Sequence, residues 1–339
     1  MNSPLMRWSV VLMVLLLVAV GVLTWRGPRT SPLVRGMNYV IELDHTHTFE
    51  EDLHHMQALG VQQIAIVIPW YQAELHATEI RPDPQRSPSD EQLVQLIRRM
   101  TAMGFRTFLR PMVEVQDGHW RGEIAFDEDD QWAIWFQSYE RFILHYARLA
   151  AREAVALFSV GVELEGTVWR EPSWRELIAR VRTIYPGPLT YSANWDGLAQ
   201  VPFWDALEYV GIDAYFDLAV DPEPSVDALR AAWQPWVHHL EQFAAQVRKP
   251  ILFTEVGVRS VRGASRRPWD WRHQAPISLQ EQANYYEAFF QVFWRQPWLA
   301  GVYIWAWVPG RKGPEDPSYT PAGKPAAAVL QRWYTHPPY

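Results

Sequence analysis

The sequence predicts a single α/β domain, a (β/α)8 or TIM barrel, preceded by an N-terminal transmembrane or signal segment. Short apolar runs alternate with amphipathic stretches eight times between Gly36 and Tyr334. Strands alternating with helices imply a parallel sheet, and eight such units are the number that closes one into a barrel. Of the 339 residues, about 310 follow the first segment, which suits one barrel better than two small domains. The longest connections, 113–130, 256–278 and 307–324, all follow strands, so they crowd the barrel face where such folds place their sites.

Taken in order, the first strand is expected over 36–41. Its helix starts at Thr48, with Glu51 completing a capping box and Phe49, Leu53 and Met56 on one face. The second strand, 64–69, leads to a helix from Ser89, where Gln92 completes the box, Leu93, Leu96, Ile97 and Met100 form the stripe, and Gly104 stops it. The third strand, 107–112, precedes a helix over 131–152. The fourth, 157–163, precedes one over 174–182. The fifth, 189–193, is followed by a short helix near 203–207. The sixth, 209–214, precedes 226–247; the seventh, 251–255, precedes 279–294; the eighth, 301–306, precedes a closing helix over 326–334.

Residues 8–25, WSVVLMVLLLVAVGVLTW, carry no charge over 18 positions. As a helix they would reach about 27 Å, just enough for a bilayer. Trp8 and Trp25 would sit at the two interfaces, with Arg7 before and Arg26, Arg29 and Arg35 after. Residues 1–26 are therefore a signal-anchor or a signal peptide, the anchor being favoured, 27–35 a linker and 36–339 the catalytic barrel. The expected location is extracytoplasmic, membrane-anchored through 8–25 or secreted.

The 31 basic and 38 acidic residues give a formal net charge of −7. That balance argues against a nucleic-acid partner, which needs an excess of cations. The 19 Trp, 14 Tyr and 14 Phe are more than a core requires, and flat apolar faces suit sugar rings. Cysteine is absent, so disulfides, thiolate metal sites and a cysteine nucleophile are excluded. A monomer is expected.

Two carboxylates stand out. Glu163 ends the fourth apolar run, LFSVGV, and Glu255 ends the seventh, ILFT. Strand C-termini in such barrels carry catalytic groups, and a pair of carboxylates is what glycoside hydrolysis needs, one to protonate the departing oxygen and one opposite it. Glu165 is a rival for Glu163, or else a residue that supports the site from behind or lines a subsite. Trp305 of the eighth strand offers an aromatic floor. Asn194 and Trp195 end the fifth strand, and Asp213 and Tyr215 the sixth; these groups can hydrogen-bond and stack on a sugar, and Tyr215 can hold a nucleophilic carboxylate ionised. Arg110 would position a carboxylate, while Trp70, Trp120 and Arg121 are further substrate-binding candidates. The pair His45 and His47 resembles the start of a zinc site, but Asn194 and Asp213 stand where further histidines would be required, so no metal and no cofactor is expected.

The chain resembles glycoside hydrolase family 113, within the clan of barrel hydrolases with glutamates on strands four and seven. The resemblance spans 36–334 and rests on Trp120-Arg-Gly, Gly161-Val-Glu, Tyr191-Ser-Ala-Asn-Trp, Phe203-Trp-Asp, Gly211-Ile-Asp-Ala-Tyr, Phe253-Thr-Glu-Val-Gly, Gly301-Val-Tyr-Ile-Trp and Thr320-Pro-Ala-Gly-Lys-Pro. It implies a retaining endo-β-1,4-mannanase acting on mannan or mannooligosaccharides, with Glu163 as acid/base and Glu255 as nucleophile. One departure is Val162, where most of the clan has an Asn that contacts the sugar 2-hydroxyl. Two other readings stay open: a hydrolase of another β-linked polymer (β-glucan or exopolysaccharide), and a non-catalytic, surface-anchored sugar-binding barrel.

Overall fold

A computed structural model describes residues 32–41 and 49–336. The apolar segment 8–25, most of the linker, His45, His47 and Thr48 lie outside the described residues. Among those described, no helix is long and apolar enough to cross a membrane.

Eight parallel strands close on themselves: β1 (Val34–Tyr39), β2 (Gln63–Gln72), β3 (Arg106–Val115), β4 (Leu157–Val162), β5 (Leu189–Asn194), β6 (Tyr209–Asp213), β7 (Ile251–Val256) and β8 (Leu299–Trp307). Each pairs with the next, and β8 pairs back onto β1. Around them run α1 (Phe49–Ala58), α2 (Asp90–Ala102), α3 (Asp129–Arg152), α4 (Glu171–Ile184), α5 (Val226–Val247), α6 (Leu279–Phe293) and α7 (Pro325–Thr335). This is the expected TIM barrel, with one unit short of a helix. After β5 the chain makes only single 3-10 turns, Leu198–Gln200 and Trp204–Ala206.

Local chemistry accounts for the boundaries. At α2 the capping box is closed in both directions, Gln92 N donating to Ser89 Oγ (3.2 Å) and Ser89 N to Gln92 Oε1 (2.8 Å). β2 and β3 run longer than expected because they stay paired with each other from Gln63↔Arg106 to Gln72↔Val115, well past the last β1 contact at Ile66. Pro69 therefore sits where β2 has no partner on the β1 side to ask for its missing N–H. The projecting end of β2 also pairs with a two-residue antiparallel strand, Ile80–Arg81.

The barrel interior is layered by strand alternation. Ala65, Phe108, Leu157, Leu252 and Tyr303 fill the lower layer. Val67, Met112 and Val162, with Trp305, form an upper apolar layer. Between them β3 places the wholly buried Arg110. The much larger apolar cluster lies between sheet and helices. It absorbs most of the aromatic excess; Trp132, Trp135 and Tyr139 of α3 and Trp174 of α4 pack there edge-on or stacked. Gly161 is required at this seam, since a Cβ would come within 2.8 Å of both Trp174 and Tyr191.

Candidate active site

Both strand-end glutamates leave the strand pattern, and that is how they reach the same cleft. Leu252 and Thr254 of β7 face inward, so simple alternation would turn Glu255 toward the helices. The register shifts between Asp213 and Ile212 opposite this point, pairing Asp213 with Glu255, and Glu255 faces the cleft instead. After Val162, Glu163 adopts a left-handed backbone, φ 49°. For a residue with a side chain this costs on the order of 1–3 kcal/mol and marks positions held for function. Its N–H is fixed by Ser192 O at 2.8 Å.

Glu255 is almost buried and clamped from two sides. Arg110 donates to its Oε1 (2.7 Å) and Tyr215 Oη–H to its Oε2 (2.6 Å). Arg110 also forks onto both oxygens of Asp213 (3.0 and 3.1 Å) and reaches Asn38 Oδ1 (2.8 Å). Thr254 adds a bond to Asp213 Oδ1 (2.7 Å), and Asn38 donates to Thr254 O (3.0 Å). One cation thus serves two buried carboxyls. Burial pushes Glu255 upward, against the attraction of Arg110. It pushes Asp213 well up, with Glu255 adding and Arg110 opposing. The donors converging on both groups favour their ionised forms. The Tyr215 phenol is raised by its own burial and then by the Glu255 charge, so it stays an O–H donor.

Glu163 is held differently. Its Oε2 accepts from Arg121 Nη1 (2.7 Å) and from the half-exposed Trp120 Nε1 (3.1 Å). Arg121 is shared with Glu114 Oε1 (2.6 Å) and tied to Val113 O (2.8 Å). The cleft over the two glutamates has a volume of about 750 Å³ and is walled by Val67, Tyr71, Met112, Glu114, Arg121 and Trp305 among others. A second cavity of about 600 Å³ continues it, sharing Tyr71, Gln85 and Gln116. An open trough lined by two carboxylates in unlike surroundings can bind an extended polar chain and divide acid and nucleophile roles between them. Among the described residues no group of His, Cys, Asp or Glu is arranged to hold a metal ion.

The sequence model of glycoside hydrolase family 113 matches residues 43–324. The chain belongs to this family. Solved structures agree. A GH113 β-1,4-mannanase is 28% identical, covers 90% of this chain and 100% of its own, and superposes with a TM-score of 0.83. The GH113 β-mannanase AaManA from Alicyclobacillus acidocaldarius, in complex with ManMIm, is 32% identical over 91% of this chain and 99% of its own, with a TM-score of 0.81. A Faecalibacterium prausnitzii β-glucuronidase, 13% identical, shares the fold over 91% of this chain and 49% of its own, with a TM-score of 0.61. No curated protein sequence matches. As a member of family 113, the chain is a glycoside hydrolase.

In this family-113 barrel the expected site residues fall into three places. Glu163, Glu255, Arg121 and Trp305 line the cleft, and Trp120 and Tyr215 bind the two glutamates directly. Arg110 and Asp213 lie beneath it, wholly buried, so they support Glu255 and do not meet substrate. Asn194 and Trp195 lie at the rim. For Asp213 this burial corrects the expected sugar contact, and two further expectations are corrected. Trp70 points out of the barrel, stacking on Phe142 of α3 (4.7 Å) and donating to Tyr146 Oη (2.9 Å); its neighbour Tyr71, of opposite parity, faces the cleft. Glu165 is not a wall residue. The left-handed turn at Glu163 ends the strand, and Glu165 folds under the rim, where its Oε1 accepts from Asn194 N (2.9 Å). Burial and then the Glu163 charge push it up to about 7.

Asn38, Tyr71 and Glu114 are additions to the expected set. Asn38 is a polar residue in the buried half of its strand, and Glu114 stands four residues after Arg110, on the same strand face. Those were the available signals.

Proposed function

We propose that this hydrolase is a retaining endo-β-1,4-mannanase, with Glu163 as acid/base and Glu255 as nucleophile. The observation that carries the assignment is the contrast between the two carboxylates over one cleft. Glu255 is immobilised by Arg110 and Tyr215, which stabilise a negative charge and hold the group in one orientation. Glu163 is the more exposed and is bound along one edge only. In the first step Glu255 attacks the anomeric carbon while Glu163 gives its proton to the departing glycosidic oxygen. In the second, Glu163 takes a proton from water, which attacks the same carbon and frees Glu255 with net retention.

Mannan is supported by the family and by the named activity of its solved relatives. Internal cleavage is supported by the cavity that extends the cleft past Tyr71. The enzyme acts as a monomer on polysaccharide outside the cytoplasm, held there by, or released from, residues 8–25.

Incubation of the protein with β-1,4-mannohexaose tests this. Shorter mannooligosaccharides from the wild type and none from Glu163→Gln or Glu255→Gln are expected. Products from another β-linked oligosaccharide alone would remove mannan, and silence on all of them would remove catalysis.

A further inference from the structure

A general acid must carry a proton when its substrate arrives, yet Glu163 sits against a cation. Arg121 Nη1 donates to Glu163 Oε2 at 2.7 Å, and a guanidinium at that range favours the ionised carboxylate. Trp120 Nε1 donates to the same oxygen at 3.1 Å. Both donors crowd Oε2, so the proton belongs on Oε1.

Arg121 does not serve Glu163 alone. Its Nη2 donates to Glu114 Oε1 at 2.6 Å and its Nε to Val113 O at 2.8 Å. The guanidinium therefore lies between two carboxylates, Glu114 at the end of β3 and Glu163 just after β4. Burial would lower Arg121, but the charge of Glu114, and after it that of Glu163, raises it. Packing fixes this frame. Arg121 opens the 3-10 turn Arg121–Glu123, which lies against the turn after Glu163: a Cβ at Gly166 would come within 2.3 Å of Ile124 O and 2.9 Å of Gly122 O. Other charged or titratable groups also face the pair. Glu165, Glu255 of β7, Asp213 of β6 and the Tyr191 phenol of β5 stand near enough to feel the Glu163 charge. Tyr71 of β2 feels Glu114, and Arg86 beside it is held by Asp83 at 2.6 Å. Among the described residues, Glu114 is the one other carboxylate bonded to the cation that grips Glu163.

We propose that Glu114 is a positioning residue for the acid/base: by sharing Arg121 it offsets the cation and lets Glu163 hold the proton that the departing oxygen takes. It rests on the proposed assignment of Glu163. Glu114 acts through Arg121 and transfers no proton itself.

The test uses Glu114→Gln in the full chain. Glutamine keeps the shape and can still accept from Arg121, so the tie stays and the charge goes. The alkaline limb of kcat/KM on β-1,4-mannohexaose is expected to move about one pH unit lower, with about a tenfold loss above it. On 2,4-dinitrophenyl β-mannobioside, whose phenolate departs without a proton, the loss is expected to stay below about threefold. Arg121→Gln removes the cation instead and moves the hexaose limb to higher pH. Equal losses on both substrates with an unmoved limb make Glu114 a substrate contact or a structural tie, and overturn its role. If Glu114→Gln does not fold, the Arg121→Gln limb decides: one that stays or moves lower overturns the role. If the wild type cleaves neither substrate, or Glu163→Gln cleaves hexaose as fast as the wild type, the assignment of Glu163 fails and the role of Glu114 with it. If Glu163→Gln is inactive on hexaose and both limbs match the wild type, only the role of Glu114 fails.

Discussion

Replacing Arg110 by Met keeps an unbranched stem and removes the guanidinium beneath the site. In the wild type this guanidinium donates two bonds to Asp213, one to Glu255 and one to Asn38. Arg110 and Asp213 have no exposed side-chain surface, and Glu255 has 9%. Removing one member of such a buried set costs about 3–5 kcal/mol, since the remaining carboxyls lose their counter-charge but cannot reach water. They respond by binding protons, so both are raised further than burial already raises them. A carboxyl raised above its unfolded value stabilises the fold below that value and loses this contribution as pH rises. The deficit of Arg110→Met is therefore smallest near pH 4 and largest near pH 8. Urea unfolding followed by tryptophan fluorescence reads this directly. A deficit below about 1 kcal/mol at pH 8, the size of an exposed ion pair, or one that shrinks as pH rises, would refute the reasoning.

Tyr215→Phe removes the 2.6 Å bond to Glu255. A hydrogen bond to a charged group contributes about 1.5–3 kcal/mol, so kcat/KM should fall about ten- to a hundredfold. The acid limb of the pH profile should also move to higher pH, because the lost bond had favoured the ionised carboxylate. Glu165→Gln should flatten the pH dependence of thermal stability. The native carboxyl, pushed up to about 7, stabilises the fold below about pH 4.3 and loses that contribution as pH rises toward 7. Melting curves across that range show it, and an unchanged slope would contradict the burial argument. Trp70→Phe should lose about 1 kcal/mol of stability with its bond to Tyr146 while kcat/KM stays the same; a large loss of activity would return Trp70 to the cleft.

The barrel was readable because its signals are local. Apolar runs separated by amphipathic helices repeat, and Ser89 with Gln92 marks a helix start by a closed pair of hydrogen bonds. The position of the catalytic candidates was readable as well, since Glu163 and Glu255 stand at strand ends. Their orientation was not. Strict alternation would have turned Glu255 outward, and only a register shift between neighbouring strands brings it in. Parity also decides between Trp70 and Tyr71, and a strand whose both faces are buried gives no polar alternation to fix it. The division of the polar set was hidden for a similar reason. Arg110 and Asp213 resemble cleft residues in sequence, but their burial depends on an upper layer, Val67, Met112 and Val162, to which three different strands contribute. Asn38 reaches the site through a bond to Arg110 from a distant strand, and Glu114 through one to Arg121 seven residues on; their polarity within strands was the signal for them.

The most direct test of the assignment is covalent trapping. The protein would be incubated with 2-deoxy-2-fluoro-β-mannosyl fluoride, digested and analysed by mass spectrometry. The fluorine slows both steps and the fluoride leaving group restores the first, so a glycosyl-enzyme accumulates. The label is expected on Glu255, with none in Glu255→Gln. Label on Glu163 or Glu165, or turnover of mannohexaose with no trapped carboxylate, would contradict the account.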